Sequence, residues 1–98
     1  MKAGRKTQYY VYMVRCKYGT YYTGYTDDLK RRVKEHGTAR GAKYLRGKGP
    51  VELVYVKGYK YYKKAVVMER RIKRLTRKQK ETLVGGKRLD KVLSDAGK

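Results

Sequence analysis

Five residues of reactive types occur at distinctive positions in the chain: Tyr12, Tyr22, Arg32, His36 and Glu69. The two tyrosines lie ten residues apart, the arginine follows ten residues after the second tyrosine, and the histidine follows four residues later. An arginine can bind a phosphate through two parallel hydrogen bonds. A glutamate can bind Mg²⁺, which often takes one or two carboxylates and completes its coordination with water and substrate phosphate. The regular intervals therefore suggest a site.

Each of these residues also has an ordinary structural interpretation. Glu69 borders the apolar stripe of a predicted helix, where an ion pair would satisfy its charge as well as a metal would. The candidate partners for that ion pair are Arg32, Arg70 and Arg71. His36, the single histidine, could be a favourable cation near a helix end or a general acid or base. The twelve tyrosines of a chain without Phe or Trp are mostly expected in the core and in stacking contacts.

The net charge of +20, from 28 Lys and Arg against 8 Asp and Glu, decides the expected partner. Self-repulsion of this size destabilises a compact state unless a polyanion neutralises it, and nucleic acid, above all DNA, is the polyanion that we expect. No apolar run reaches membrane-spanning length, so a membrane is not the expected partner. No stretch of signal-peptide shape follows the N-terminus, so we expect a cytoplasmic protein that can associate with the nucleoid.

A hairpin is the first element that must position these residues. Runs rich in β-branched and aromatic residues predict strands over residues 9–16 and 20–26. Between them, Gly19 suits the left-handed last position of a three-residue loop. Directly opposed residues point to the same face, so this loop makes Tyr12 and Tyr22 diagonal neighbours on one face. A two-residue loop would place them on opposite faces.

The remainder of the chain predicts helices around one more strand. A short helix is predicted for the segment TDDLKRRVKEHG, with Arg32 and His36 on its inner side. A third strand is predicted for VELVYVKG, and a second helix for YYKKAVVMERRIKRL. Thr76 and Gln79 have the form of a capping box that begins a third helix. The ββαβαα order predicts one α+β domain over residues 1–98, with its core at about 9–84 and a C-terminal helix or tail at 85–98.

The segment between the first helix and the third strand is rich in glycine and basic residues. Its glycines would let backbone N–H groups approach a nucleic acid, and its basic side chains would contact phosphates. A solvated loop is the plain alternative, and it is compatible with this role. The candidate nucleic-acid contacts are Arg40, Lys43, Arg46 and Lys48, together with Arg31 on the preceding helix.

Taken together, these residues resemble a GIY-YIG endonuclease domain. The first half-motif of that family corresponds to Tyr10-Val11-Tyr12, which keeps the final tyrosine, and the second to Tyr22-Thr23-Gly24, which keeps the tyrosine and the glycine. The family's arginine corresponds to Arg32, its His-or-Tyr position to His36, and its metal-binding glutamate to Glu69. The loop RGAKYLRGKG is similar to that of the small stand-alone branch, and the resemblance extends to the end of the third predicted helix.

The resemblance implies a three-stranded antiparallel sheet flanked by helices and a metal-assisted hydrolysis of phosphodiester bonds. Glu69 would hold one Mg²⁺ or Mn²⁺. Tyr12 would activate the attacking water, provided that Arg32 and the metal lower its pKa from the usual value of about 10, and His36 would relay the proton. Tyr22 would orient the water or the phosphate, and Arg32 would stabilise charge in the transition state.

One departure from the family pattern leaves the function open. Many family nucleases carry an asparagine about a dozen residues after the glutamate, and this chain has none, so Gln79 is the candidate replacement. The first hypothesis is a structure-selective or nicking DNA endonuclease in repair or recombination, with activity that is weak or needs a partner subunit. The second is a basic nucleic-acid-binding protein that keeps the fold without catalysis. A basic ribosome- or chromatin-associated structural protein is the third, but it has no need of Glu69 or His36.

Overall fold

The structure, a computed structural model, describes residues 8–36 and 51–96. Three strands and four helices follow one another there: β1 Tyr9–Cys16, β2 Tyr21–Thr26, α1 Leu29–His36, β3 Val51–Tyr59, α2 Tyr62–Lys73, α3 Arg77–Val84 and α4 Leu89–Ala96. The strands form one antiparallel sheet in the order β2-β1-β3, with β1 in the centre. The predicted α+β fold is confirmed, and the tail beyond Gly86 contains the helix α4.

The turn between β1 and β2 closes between Cys16 and Thr20, so three residues lie inside it, as predicted, although β2 itself begins at Tyr21, one residue later than predicted. The Cys16 N–H donates to the Thr20 carbonyl over 2.9 Å, and the Gly19 N–H donates to the Cys16 carbonyl over 2.8 Å. Gly19 has a φ of 88°, which a residue with a side chain rarely adopts. The resulting register places Tyr12 directly opposite Gly24, as the length of the loop requires.

The alternation of side chains along β1 divides the interior into two cores. Val11 and Met13 point to the face that is covered by α2, α3 and α4, and they belong to the larger core. Tyr12, Val14 and Cys16 point to the opposite face, where they form a smaller core with partly buried residues that include Leu29 of α1. The larger core carries most of the apolar burial, which leaves the smaller face free to hold polar groups of tyrosine and arginine.

Two local signals fix the ends of the helices around the site. The Asp28 carboxylate accepts a hydrogen bond of 3.2 Å from the Arg31 N–H at the beginning of α1. The predicted capping box at α3 is confirmed, because the Thr76 side chain accepts from the Gln79 N–H and the Gln79 side chain accepts from the Thr76 N–H. Within residues 8–36 and 51–96, no helix is long and apolar enough to cross a lipid bilayer.

Candidate active site

Tyr12 and Tyr22 lie on one face of the hairpin, as predicted. Tyr12 is 1% exposed in the middle of the central strand, whereas Tyr22 is half-buried beside it on β2. Their ring centroids are 6.5 Å apart and the ring planes are inclined by 46°. The two phenol groups therefore share one environment on this face of the hairpin.

Gly24 is a further residue of the site. It belongs to the second half-motif, but the sequence analysis predicts no role for it. A Cβ atom on Gly24 would lie 2.7 Å from the Tyr12 hydroxyl oxygen and 3.1 Å from Cε2 of Tyr22. The distance to Tyr12 is too short for any side chain and the distance to Tyr22 is tighter than usual, so the Tyr12 ring lies across β2 in this position because position 24 has no side chain. The signal was present in the sequence, since the hairpin register puts this glycine opposite a buried tyrosine.

Arg32 connects α1 to the tyrosines. Hydrogen bonding and positive charge from its guanidinium lower the pKa of the Tyr12 hydroxyl, although burial outweighs this effect. A second hydrogen bond, from Nη1 to Oε1 of Glu35, is 3.1 Å long and ties the side chain to its own helix. A guanidinium carries five N–H donors, so these two contacts hold it in place while other donors can reach a phosphate.

Arg31, the neighbour of Arg32, lies in a different setting. Its guanidinium is within 3.5 Å of an Asp28 oxygen, 3.7 Å of a Glu35 oxygen and 3.9 Å of an Asp27 oxygen. Its side chain is 59% exposed, so each of these pairs is weak, but together they compensate its charge. A nucleic-acid contact by Arg31 stays a prediction, and it would have to compete with these three carboxylates.

Glu69 is buried on α2 and forms an ion pair. Only 7% of the residue is exposed, and its Oε2 lies 3.0 Å from Nζ of Lys73. The sequence suggests arginine partners, and the observed partner is instead the lysine one helical turn further on. Arg70 and Arg71 are exposed on the outer side of the helix, whereas positions four residues apart meet on one side.

The pKa of Tyr12 bears on what this residue can do. Burial raises it to about 12, with further contributions from the neighbouring Tyr22 phenol and the Glu69 carboxylate, while Arg32 opposes the rise. Arg32 therefore lowers the pKa of Tyr12, as expected. The side chains of the protein nevertheless give no net lowering, because the effect of desolvation on this pKa is larger than the effect of Arg32. At neutral pH the Tyr12 hydroxyl is protonated. The contribution from Glu69 also means that its charge lies close enough to act on this phenol.

The remaining predicted residues divide into two groups. Gln79 lies in the described part of the chain, but its side-chain oxygen accepts a hydrogen bond from the Thr76 N–H over 2.8 Å as part of the α3 cap. The side chain of His36, at the end of α1, lies outside the described residues, and so do four predicted nucleic-acid contacts: Arg40, Lys43, Arg46 and Lys48. Their roles stay predictions.

The chain is similar to proteins of one family over most of its length. Residues 8–82 match the family described as the GIY-YIG catalytic domain. A UPF0213 protein of Halobacterium salinarum is 49% identical over 75 residues, which are 76% of this chain and 97% of that protein. UPF0213 protein BH0048 of Halalkalibacterium halodurans is 46% identical over 76 residues, which are 78% of this chain and 81% of that protein.

Solved structures agree with the architecture. The solution NMR structure of UPF0213 protein BH0048 from Bacillus halodurans has a TM-score of 0.54 and 42% identity, and it covers 88% of this chain and 92% of its own. The solution NMR structure of protein EF2693 from E. faecalis has a TM-score of 0.55 and 36% identity, with 83% and 85% covered. The chain therefore belongs to the GIY-YIG family, whose members form a superfamily of nucleases. Within that family its relatives are the stand-alone UPF0213 proteins.

Proposed function

We propose that this protein is a metal-dependent endonuclease that hydrolyses phosphodiester bonds in DNA, with structure-selective or nicking activity in repair or recombination. The observation that carries the proposal is the meeting of Tyr12 and Tyr22 on one face, with ring centroids 6.5 Å apart, beside Arg32, which lowers the pKa of the buried Tyr12. It joins a phosphate-binding group to a proton-transfer group on the face that also holds Tyr22.

A divalent cation, Mg²⁺ or Mn²⁺, fits Glu69 as a single carboxylate ligand. The Lys73 ammonium lies 3.0 Å from Oε2 of Glu69, so a bound cation would have to share this carboxylate with the lysine or displace it. Within the described ranges, no group of three or more acidic, histidine or cysteine side chains forms a closed metal cage. An ion that keeps several water ligands and binds substrate phosphate suits one carboxylate best, and Mg²⁺ has that preference. When bound, the cation supplies stabilisation of negative charge on the phosphate and on the leaving oxygen.

The side chains of the protein divide the remaining work. Arg32 stabilises charge on the phosphate in the transition state, and Tyr22 orients the water or the phosphate. Tyr12, with a pKa of about 12, acts as a protonated phenol. The Tyr12 oxygen accepts a proton from the attacking water while the original hydroxyl proton leaves to the next acceptor. The phenol therefore never carries the full charge of a phenolate. His36 is the proposed acceptor of that proton.

A non-catalytic nucleic-acid-binding protein is the second candidate. Two observations favour it: Gln79 is engaged in the α3 cap, and Glu69 is already paired with Lys73. In this alternative the charge and the tyrosines serve binding alone. Metal dependence separates the two candidates.

The test is cleavage of a labelled panel of duplex, nicked, flap, four-way-junction and single-stranded substrates with Mg²⁺, Mn²⁺ or EDTA. We expect metal-dependent cuts that fall at least about 100-fold in Glu69→Gln and in Tyr12→Phe while binding persists. Glu81→Gln is the matched control, because Glu81 is an exposed helical glutamate that pairs with Arg77, away from the site. No cuts on any substrate, or cuts indifferent to both site variants, would contradict the proposal.

A further inference from the structure

The outer face of α2 carries a concentration of positive charge. Its exposed basic residues are Lys63, Lys64, Arg70, Arg71 and Arg74, the last of which is the C-cap. At 3.6 residues per turn, Lys63, Arg70 and Arg74 lie in one row along the helix, and Lys64 and Arg71 lie in a second row beside it. With a rise of about 1.5 Å per residue, the longer row extends over about 16 Å.

These five cations lack acidic partners within the part of the chain that the structure describes. Elsewhere in the same ranges four exposed arginines each lie against a carboxylate: Arg15, Arg31, Arg77 and Arg88. On α2 the basic residues even face one another, because Arg74 follows Arg70 by four positions and Arg71 by three. Like charges at these spacings destabilise a helix, so the uncompensated face is favourable only when an external anion covers it.

We propose that this outer face of α2 is the docking surface for the sugar–phosphate backbone of duplex nucleic acid. The choice of polyanion rests on the proposed function. A row of about 16 Å exceeds the major groove width of about 12 Å, so its ends can reach phosphates on both sides of that groove. Val67, 49% exposed between the two rows, adds an apolar contact for the sugars.

The same helix links this surface to the candidate active site. Glu69 projects from the inner side of α2, whereas the docking residues project from the outer side. The diameter of a helix with its side chains is about 10–12 Å, so a phosphate held on the outer face lies at least about that far from Glu69, and the phosphate that is cleaved must belong to another part of the bound nucleic acid. The arrangement assigns α2 two tasks: its outer face binds phosphates without regard to sequence, and its inner side supplies the metal ligand.

The test measures binding of a labelled 20-base-pair duplex in EDTA by fluorescence anisotropy at several KCl concentrations. The variant K63Q/R70Q/R74Q removes the longer row. The control K57Q/K78Q/K91Q removes the same charge from exposed lysines of β3, α3 and α4 that form no ion pair with the described carboxylates. Circular dichroism verifies that both remain folded.

We expect the α2 variant to bind roughly 10- to 100-fold more weakly at low salt. Its slope of log K against log salt should fall by about 0.9 for each phosphate that the variant no longer neutralises, or about 2 to 3 in all. The control should keep the wild-type slope and bind within about threefold of wild type. Equal losses in both variants would mean that only net charge matters and would overturn the proposal. So would an α2 variant that loses binding to phosphatidylserine vesicles but not to DNA.

Failure of this inference is distinguishable from failure of the proposed function. Binding in EDTA does not require cleavage, so an α2-specific loss of DNA binding supports the docking surface even if wild type cuts nothing. Conversely, the wild type could show metal-dependent cleavage while the α2 variant binds and cleaves equally well. That result would support the nuclease and overturn the docking surface.

Discussion

The two sides of the candidate site satisfy their charges in different ways. On the side of the hairpin and α1, Arg32 is held by Glu35 and by the Tyr12 hydroxyl, and Arg31 lies among three carboxylates. On the α2 side, the inner Glu69 has Lys73 as its partner, while five outer cations have no acidic partner among the described residues. The two arginines of α1 are compensated by neighbouring groups, whereas the five outer cations of α2 present surplus positive charge.

This difference separates positioning from recruitment. A guanidinium that is tied to a phenol and a carboxylate has a defined orientation, which favours catalysis because little has to reorganise when the transition state forms. Unpaired lysines and arginines on a helix surface have no fixed orientation and remain available to any phosphate. Substitutions on the two sides should therefore change different measured quantities.

The largest expected effect compares the two adjacent arginines of α1. Arg32→Gln should lower cleavage about 100- to 1000-fold, because it removes the group that contacts both Tyr12 and the phosphate. Arg31→Gln should stay within about threefold of wild type, because its charge is already compensated by exposed pairs. Single-turnover cleavage on the best substrate of the panel measures both. Similar losses in the two variants would break the distinction between a positioned and a neutralised arginine.

A smaller effect is expected from Gly24→Ala. The new methyl group would meet the Tyr12 hydroxyl, so the ring must shift, which should lower cleavage about 100-fold and unfolding free energy by about 1–3 kcal/mol. Cleavage and urea denaturation measure the two quantities. Gly85→Ala is the control for cleavage, since its φ of −74° suits alanine; its Cβ would lie 3.3 Å from the Glu81 carbonyl oxygen, so a small loss of stability without a loss of cleavage is expected. Unchanged cleavage in Gly24→Ala would mean that the position of the Tyr12 ring is unimportant.

The smallest effect is expected on the α2 side, from Lys73→Met. Removing the ammonium beside Glu69 should strengthen Mn²⁺ binding about two- to fivefold, the equivalent of about 0.5–1 kcal/mol for an ion pair with one exposed partner. Water-proton relaxation of bound Mn²⁺ measures the affinity without any cleavage. Lys73→Arg, which keeps the charge, should bind as wild type does. Weaker Mn²⁺ binding in Lys73→Met would instead mean that the lysine supports the metal site.

The hairpin could be predicted from sequence in detail because its determinants are local. A three-residue loop with Gly19 at a positive φ fixes which residues oppose one another, and that register places Tyr12 beside Tyr22. The collision avoided at Gly24 follows from the same register and could have been foreseen. The partner of Glu69 could also have been found, since Lys73 has the i+4 spacing that favours an ion pair on one side of a helix.

Other properties depend on packing that a sequence does not reveal. The pKa of Tyr12 is raised to about 12 mainly by burial, and the depth of that burial depends on how α1 and β3 cover the central strand. The contrast between Arg31 and Arg32 arises from one step of rotation along α1, which turns one arginine toward the tyrosines and the other toward water. Adjacent residues of identical type therefore differ in function through their direction alone.

The three-residue loop also limits how this protein can evolve. Successive side chains of a strand point to opposite faces, so inserting a single residue between Cys16 and Thr20, without a compensating bulge, would turn Tyr22 away from Tyr12. Such an insertion would leave every side chain of the site chemically intact. The number of residues between the two tyrosines is therefore as much a determinant of the site as the side chains themselves.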